Sequence, residues 1–383
     1  MSLQTKSFAD LITLSRASTA TYVGADGTIK TAAVDVPRFD FSTGKKALLL
    51  ENSATNFLLH SEAFDNAVWV RQANATVASQ DGAWRIGCTD ATLRFVTQTP
   101  ALAGDEVATL SIDIKDIDAG TAMVELVSTI GASGGRFSLS LASGAVTATS
   151  IGTPNGSAVV VSVSPPDVDG YRRYVLRSTP GSTGNTSRRV LIGSEGASGT
   201  GILVRRPQLE IGAGATSYIP TTTVAVTRAA DNIAAIDLSG FYLGDGYTVV
   251  VKGQFDAANG LYDRVVQLDG GTDASRQAVI YAAPEAKIYA SMYSGGISQG
   301  ATEAAYLLGD SFAVASALGL NYRQAAINGV AGSLDTDAEF ITPNALRLAQ
   351  SFGGGSKPAR LLLESIMIYP YLLTEAQLIE VTA

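Results

Sequence analysis

YRRYVLRSTPGSTGNTSRRVLIGSEGASGTGILVRRPQLEIG, residues 171–212, decides the fold. Three runs in it, YRRYVLRS (171–178), RRVLIG (188–193) and ILVRRPQLEIG (202–212), alternate apolar and polar residues. Alternation with period two places one set of side chains on each face of an extended chain, as a half-buried strand requires. Clusters of Gly, Ser, Thr, Asn and Pro separate the runs, and such residues favour turns. STPGSTGNTS (178–187) reads as a mobile hairpin loop.

The same pattern extends in both directions. Upstream lie TLSIDI (109–114), RFSLSLASG (136–144) and AVVVSVS (158–164). Near 220–240 the Thr-rich IPTTTVAVTRAADN breaks the pattern. It then restarts in GYTVVVKGQF (246–255), RVVQLDGG (264–271), QAVIYA (277–282), KIYASMY (287–293), FAVASAL (312–318), RQAAINGVAG (323–332), NALRLAQ (344–350) and ARLLLESIMIYP (359–370). Asn328-Gly329 marks a tight hairpin, because both central residues of such a turn need positive φ. One helix is expected, beyond Pro370. Thr374 and Gln377 have capping-box spacing, and Ala376, Leu378 and Ile379 form an apolar stripe. The fold class is therefore all-β, two antiparallel sandwiches with one short C-terminal helix.

Composition narrows the function. Of 383 residues, 46% are hydrophobic and 16% charged, so the chain can bury a large core and is not disordered. The net charge of −8 disfavours nucleic acid as a partner. It suits a neutral glycan or a basic protein equally. No run approaches the roughly 18 apolar residues of a membrane span. The opening MSLQTKSFADL lacks the apolar core of a signal peptide, so release by lysis is the expected route out of the cell. The single Cys88 excludes an intrachain disulfide and a cysteine zinc cluster, and reads as a small buried hydrophobe. With a single histidine, His60, two-His zinc motifs are excluded.

Three stretches resemble known families. Residues 15–69 are similar to a leader of phage and prophage structural proteins of tail-fibre, receptor-binding and head-spike types. Arg16-Ala17-Ser18, Val36-Pro37-Arg38-Phe39, Leu49-Leu50-Glu51, Thr55-Asn56, Ser61-Glu62 and Trp69 carry the likeness. Residues 56–222 resemble jelly-roll carbohydrate-binding modules, through Asn56 to Trp69 at the opening, GYRRY (170–174), and RPQLEIGAGATSYIPT (206–221) at the close. The resemblance implies closing and opening strands side by side, bridged by a structural calcium (Ca2+), with Glu62, Asp65 and Glu210 at matching places. It makes Trp69 and Tyr171 structural. Residues 240–383 resemble a concanavalin A-like, laminin-G-like sandwich, through GYTVVVKGQF, Asn328-Gly329-Val330 and LRLAQSFGGG…ARLLLESIMIYPYLLTEAQLIE.

The expected division is thus a leader or attachment segment over 1–55, a jelly roll over 56–225 and a concanavalin A-like domain over 240–383. Together the resemblances imply a lectin-like component of a virion or phage-like particle that binds bacterial surface polysaccharide. It would be made in the bacterial cytoplasm, carried in several copies or as a homo-oligomer, and in contact with other particle proteins. Multivalency would compensate for weak single sites.

Glycan sites need a flat ring for the apolar sugar face beside short polar side chains for the hydroxyls. In KIYASMY, Ile288, Ala290 and Met292 alternate onto one face, and Lys287, Tyr289, Ser291 and Tyr293 onto the other. The second set is either a binding platform or an outer face carrying tyrosines for their β propensity. Trp84, after Asp81-Gly82, is either a stacking residue at a loop edge or a ring packed under the sandwich. Asp335-Thr336-Asp337-Ala338-Glu339 places three acids on one side of an extended run, similar to sandwich glycoside hydrolases, although the first acid is Asp where those have Glu and the flanking apolar residues are missing. It follows the Asn328-Gly329 hairpin, where a solvated loop is expected. SFGGGSKP (351–358) lacks phosphate-loop spacing, and no G-x-S-x-G elbow is present. A non-enzymatic binding protein is the expectation. A structural particle protein without glycan binding is the alternative, and a polysaccharide depolymerase a further one.

Overall fold

The computed structural model describes residues 11–383 apart from 91, 103, 104, 242, 259 and 356. The run 1–10, read above for a signal sequence, lies outside them. The chain forms two compact units, Ala54–Arg228 and a discontinuous one made of the chain through Ser53 together with Ala229–Ala383. Both are antiparallel sandwiches, as the alternation implies.

In the Ala54–Arg228 unit, one six-stranded sheet has the order 146–151, 134–140, 121–128, 188–195, 94–98, 70–71. The other runs 157–163, 172–179, 108–116, 201–211, 83–88, 75–80. Inward residues of both, among them Leu110, Ile112, Val124, Phe137, Tyr174, Ile192 and Val204, form one apolar core. Cys88 is buried, as read from the sequence. The strands Arg172–Thr179 and Arg188–Glu195 belong to different sheets, so the segment between them is a crossover and not a hairpin. It is also pinned. Ser182 Oγ donates to the Ile130 carbonyl at 3.1 Å, and the Asn185 side chain donates to Asp105. Composition signalled a loop but could not show these long-range bonds.

The opening and closing segments lie side by side. Ala54–Asn56 pairs with Val226–Arg228. The buried Asn56 donates to the carbonyls of Pro207 and Ile219 and accepts from the amides of Leu58 and Leu209. All four groups are buried backbone that would otherwise lack a partner. Trp69 stacks on Phe64 at 4.4 Å and donates to the His60 carbonyl. The motif Asn56…Trp69 therefore locks the edge of this sandwich.

The discontinuous unit holds a six-stranded sheet in the order 236–237, 345–348, 262–269, 276–282, 287–294, 297–305. Facing it is a seven-stranded sheet, 330–331, 322–327, 311–319, 246–257, 360–369, 47–51, 38–40. Strand Ala47–Glu51 pairs residue by residue with the strand Arg360–Tyr369, with Leu49 opposite Leu362. Among the described residues of the expected leader, 14–15, 38–40 and 47–51 pair within the discontinuous unit, and Ala54 opens the other unit. The leader motif Leu49-Leu50-Glu51 gave no sign of its partner strand Arg360–Tyr369, which lies some three hundred residues away.

Charge fixes that insertion. Arg16 and Arg38, fully buried, share the Asp231 carboxylate, with Arg16 Nη1 to Oδ1 at 2.9 Å. Arg38 Nη1 also meets Glu51 at 2.7 Å and donates to the Thr21 carbonyl. Arg360 reaches Glu51 at 3.5 Å and pairs with Asp256. Burial by itself lowers the Arg38 pKa, but Glu51 and Asp231 offset it and leave the guanidinium above its ordinary value. The arginines of Arg16-Ala17-Ser18 and Val36-Pro37-Arg38-Phe39, and the acid of Leu49-Leu50-Glu51, are thus parts of one buried network.

The hairpin and helix readings hold. Asn328 and Gly329 both have positive φ between Ile327 and Val330. Thr374 and Gln377 make both bonds of the capping box on the helix Glu375–Thr382. Its buried face is Leu378 and Thr382, and Ala376 is exposed, which narrows the expected stripe.

Candidate functional site

The outer face of the six-stranded sheet of the discontinuous unit brings together the residues singled out in KIYASMY. Ile288, Ala290 and Met292 enter the core. Lys287, Tyr289 and Tyr293 are partly exposed, and Ser291 lies nearly buried between the tyrosines. Along one strand Tyr289 and Tyr293 stand two positions either side of Ser291, about 6.6 Å per step of two residues.

Strand register supplies their neighbours, which no sequence pattern showed. Ser291 lies opposite Ala278, then Gln267, then Arg347. Tyr293 lies opposite Arg276, then Asp269. Tyr289 lies between Ile280 and Glu303, and Ile280 pairs with Arg264. The alternation in RVVQLDGG is disturbed by a register shift between Arg264 and Val266. That shift puts Val265 and Val266 both into the core and turns Arg264 outward with Gln267 and Asp269. Reading RVVQLD at strict period two misplaces Arg264, so this half of the face was not legible.

The face is a polar layer on an apolar sandwich. Arg347 donates to Asp269 at 2.6 Å, Gln267 bridges Arg264 and Asp269, and Arg347 lies over the Phe352 ring at 4.8 Å. The Arg276 guanidinium stacks on the Tyr293 ring at 4.0 Å. Lys287 pairs with Glu303. Lys287 first, and then Tyr289, hold the Glu303 carboxyl below its ordinary range. Lys287 is therefore neutralised within the face. The Ser291 hydroxyl has no partner among the described residues. Gln267 and the Ser291 hydroxyl are buried within this layer, so it is the partly exposed Tyr289 and Tyr293 rings that can stack an apolar sugar face, with the guanidinium edges as donors to its hydroxyls.

The other candidates fare differently. Trp84 packs partly against the core of its own unit, and its indole donates to the Glu62 carbonyl at 2.9 Å. Tyr171 is buried beneath Arg205, 3.8 Å from ring to guanidinium, on the face opposite Tyr174. The residues proposed for calcium do not converge. Glu62 and Asp65 are exposed, whereas Glu210 is buried and accepts from Gln208 and Thr216. Among the described residues no three His, Cys, Asp or Glu side chains gather as a ligand set.

Asp337 and Glu339 lie outside any strand, and Asp335 makes an isolated antiparallel bridge with Arg323. Asp335 pairs with Arg323 at 3.6 Å and accepts the Asp337 amide, while Asp337 and Glu339 are exposed. The acids are not aligned on one strand face. A cleft of about 460 Å³, which no sequence feature marked, is lined by Tyr22, Pro37, Phe39 and Phe41, with Asp26 and Lys30 at its side. Among the described residues no helix is long and apolar enough to cross a membrane.

No family model matches the chain, and no curated protein matches it. Solved structures do. The carbohydrate-binding module CBM40 of the Ruminococcus gnavus IT-sialidase, bound to α2,3-sialyllactose, is 14% identical with TM-score 0.33, over 39% of this chain and 92% of that one. The NanB sialidase of Streptococcus pneumoniae is 13% identical with TM-score 0.31, over 38% of this chain. The match spans only 26% of that sialidase. A putative carbohydrate binding protein of Bacteroides ovatus is 10% identical with TM-score 0.30, over 76% of this chain and 79% of that one.

Proposed function

We propose that this chain is a non-catalytic carbohydrate-binding protein that attaches a phage or phage-like particle to a bacterial surface polysaccharide. The observation that carries the reading is the outer face at 287–294. Two partly exposed tyrosines flank Ser291, and arginines and amides on neighbouring strands surround them. A core face needs none of these groups.

The particle assignment rests on the resemblance of residues 15–69 to phage structural proteins. The buried network of Arg16, Arg38 and Glu51 gives that motif a structural reason, since it ties the N-terminal segment into the glycan-binding unit. The non-catalytic assignment is supported by the placement of Asp337 and Glu339 outside any strand, whereas Asp335 bridges to Arg323. Binding partners would be surface polysaccharide on one side and other particle proteins on the other, with several copies acting together.

The test is binding of the full chain to intact bacteria and to their extracted capsule and lipopolysaccharide, with reducing-end release read in the same tubes. Saturable binding without release is expected. Release that is lost on Glu339→Gln would replace this reading with a depolymerase. Neither binding nor release, on a host that the particle recognises, would leave a structural particle protein.

A further inference from the structure

Resting on that reading, we infer that the outer face is built for a carboxylate-bearing sugar, with Arg264 and Arg276 as the residues that select it. The argument starts from local charge. The chain carries −8 overall, yet this face places Arg264, Arg276 and Arg347 together against Asp269 and Asp273. Within this cluster three guanidiniums stand against two carboxylates, a local excess of one positive charge, while Lys287 is paired with Glu303 and Glu285 accepts from the Tyr262 hydroxyl.

The excess is concentrated at one spot. Arg347 is matched, since it donates through two nitrogens to Asp269, at 2.6 and 3.2 Å. Arg264 and Arg276 instead share the single Oδ2 of Asp273. Arg276 Nη1 is 3.3 Å from it and Arg264 Nη2 is 4.0 Å from it. Both distances exceed the 2.7–2.9 Å of a charge-assisted bond. Asp273 stands on a turn after Gly270 and Gly271, with its side chain 45% exposed, whereas the two arginines are 8% and 11% exposed. Two nearly buried cations thus meet at one half-exposed carboxylate, and Arg276 Nη1 also donates to the Asp273 main-chain carbonyl. Burial, and then repulsion from Arg276, lower the Arg264 pKa, as expected where countercharge is short.

A second carboxylate fits this deficit. It would take the exposed side of the arginine pair, as a planar acceptor for planar forks. The sugar ring bearing it would then lie towards Tyr293, on which Arg276 already stacks, with Ser291 alongside. A neutral sugar would use the tyrosines and leave the arginine pair unmatched.

The experiment compares acidic polysaccharides with their own carboxyl-reduced forms, on the full chain. Polygalacturonate, polymannuronate, hyaluronan and polysialate are suitable probes, each beside its reduced counterpart, at low and at about 0.5 M salt. The expected result is binding of at least one acidic polymer that falls about tenfold or more on carboxyl reduction, and likewise in Arg276→Gln and Arg264→Gln. Added salt should weaken the acidic polymer selectively. Arg276→Lys keeps the charge but not the fork and should fall between. Thermal melts identify any variant that has failed to fold, and wild-type discrimination between each polymer and its reduced form needs no variant at all. Equal binding of both forms, sensitive to Tyr293→Ala, would overturn the carboxylate inference while glycan binding stood. Absence of binding to every polymer and to extracted host polysaccharide would overturn both.

Discussion

Asp231→Ala tests how the N-terminal segment is held. The carboxylate of Asp231 accepts from Arg16 at 2.9 Å, from Arg38, and from the Glu51 amide at 2.9 Å, and all the side chains in the pairs are shielded from water. Removing it leaves two buried guanidiniums with less countercharge. Arg38 keeps Glu51, and Arg16 keeps the carbonyls of Ser18, Ala33 and Val36. Breaking one partner out of a buried ion pair costs about 3–5 kcal/mol, and most of that comes from the stranded charge. For a unit of this size the loss is on the order of 10 °C in melting temperature. Calorimetry on the full chain should show one transition moving and that of the Ala54–Arg228 unit staying in place. Asp26→Ala, which removes the solvent-exposed partner of Lys30, should leave both unchanged. A shift of less than about 2 °C for Asp231→Ala would refute the claim that buried charge secures this segment.

Further outcomes follow from the same structure. Asp113 accepts from Arg173 and Arg206, and although burial raises its pKa, those arginines hold it below the ordinary carboxylate value. Its stabilisation is therefore complete above the unfolded value near pH 4 and lost as pH falls through the lower folded value. Acid titration of unfolding should show this for the Ala54–Arg228 unit, with a flatter acid limb in Asp113→Asn. Asn56→Ala should destabilise that unit by about 2–4 kcal/mol in urea unfolding, since four buried backbone groups lose their partner. A chain beginning at Ala54 should keep the Ala54–Arg228 transition and lose the other, because strands 38–40 and 47–51 are then missing from the seven-stranded sheet.

The alternation of residues 109–212 and 246–370 made both sandwiches legible, and Asn328-Gly329 and Thr374…Gln377 marked a turn and a cap that the structure contains. These are local signals, carried within a few residues. The placement of residues 38–51 was not legible, because a strand's sequence does not name a partner across a chain of this length. Asp231, at the end of the Thr-rich segment that breaks the strand pattern, gave no sign that it would hold two arginines. The candidate site was half legible. Strand 287–294 showed its own outer face, whereas Arg264, Arg276 and Arg347 joined it only through register and a bulge.

The most direct test of glycan binding at this face is titration of the polysaccharide that binds best into the full chain and three variants. Tyr293→Ala and Tyr289→Ala should each weaken binding by about 5–30-fold, with unchanged melting temperature. Trp84→Ala should leave affinity at the wild-type level, because that indole is bonded to the Glu62 carbonyl inside the other unit. Wild-type affinity in both tyrosine variants, or loss of binding in Trp84→Ala alone, would contradict the account and move the site to the Ala54–Arg228 unit.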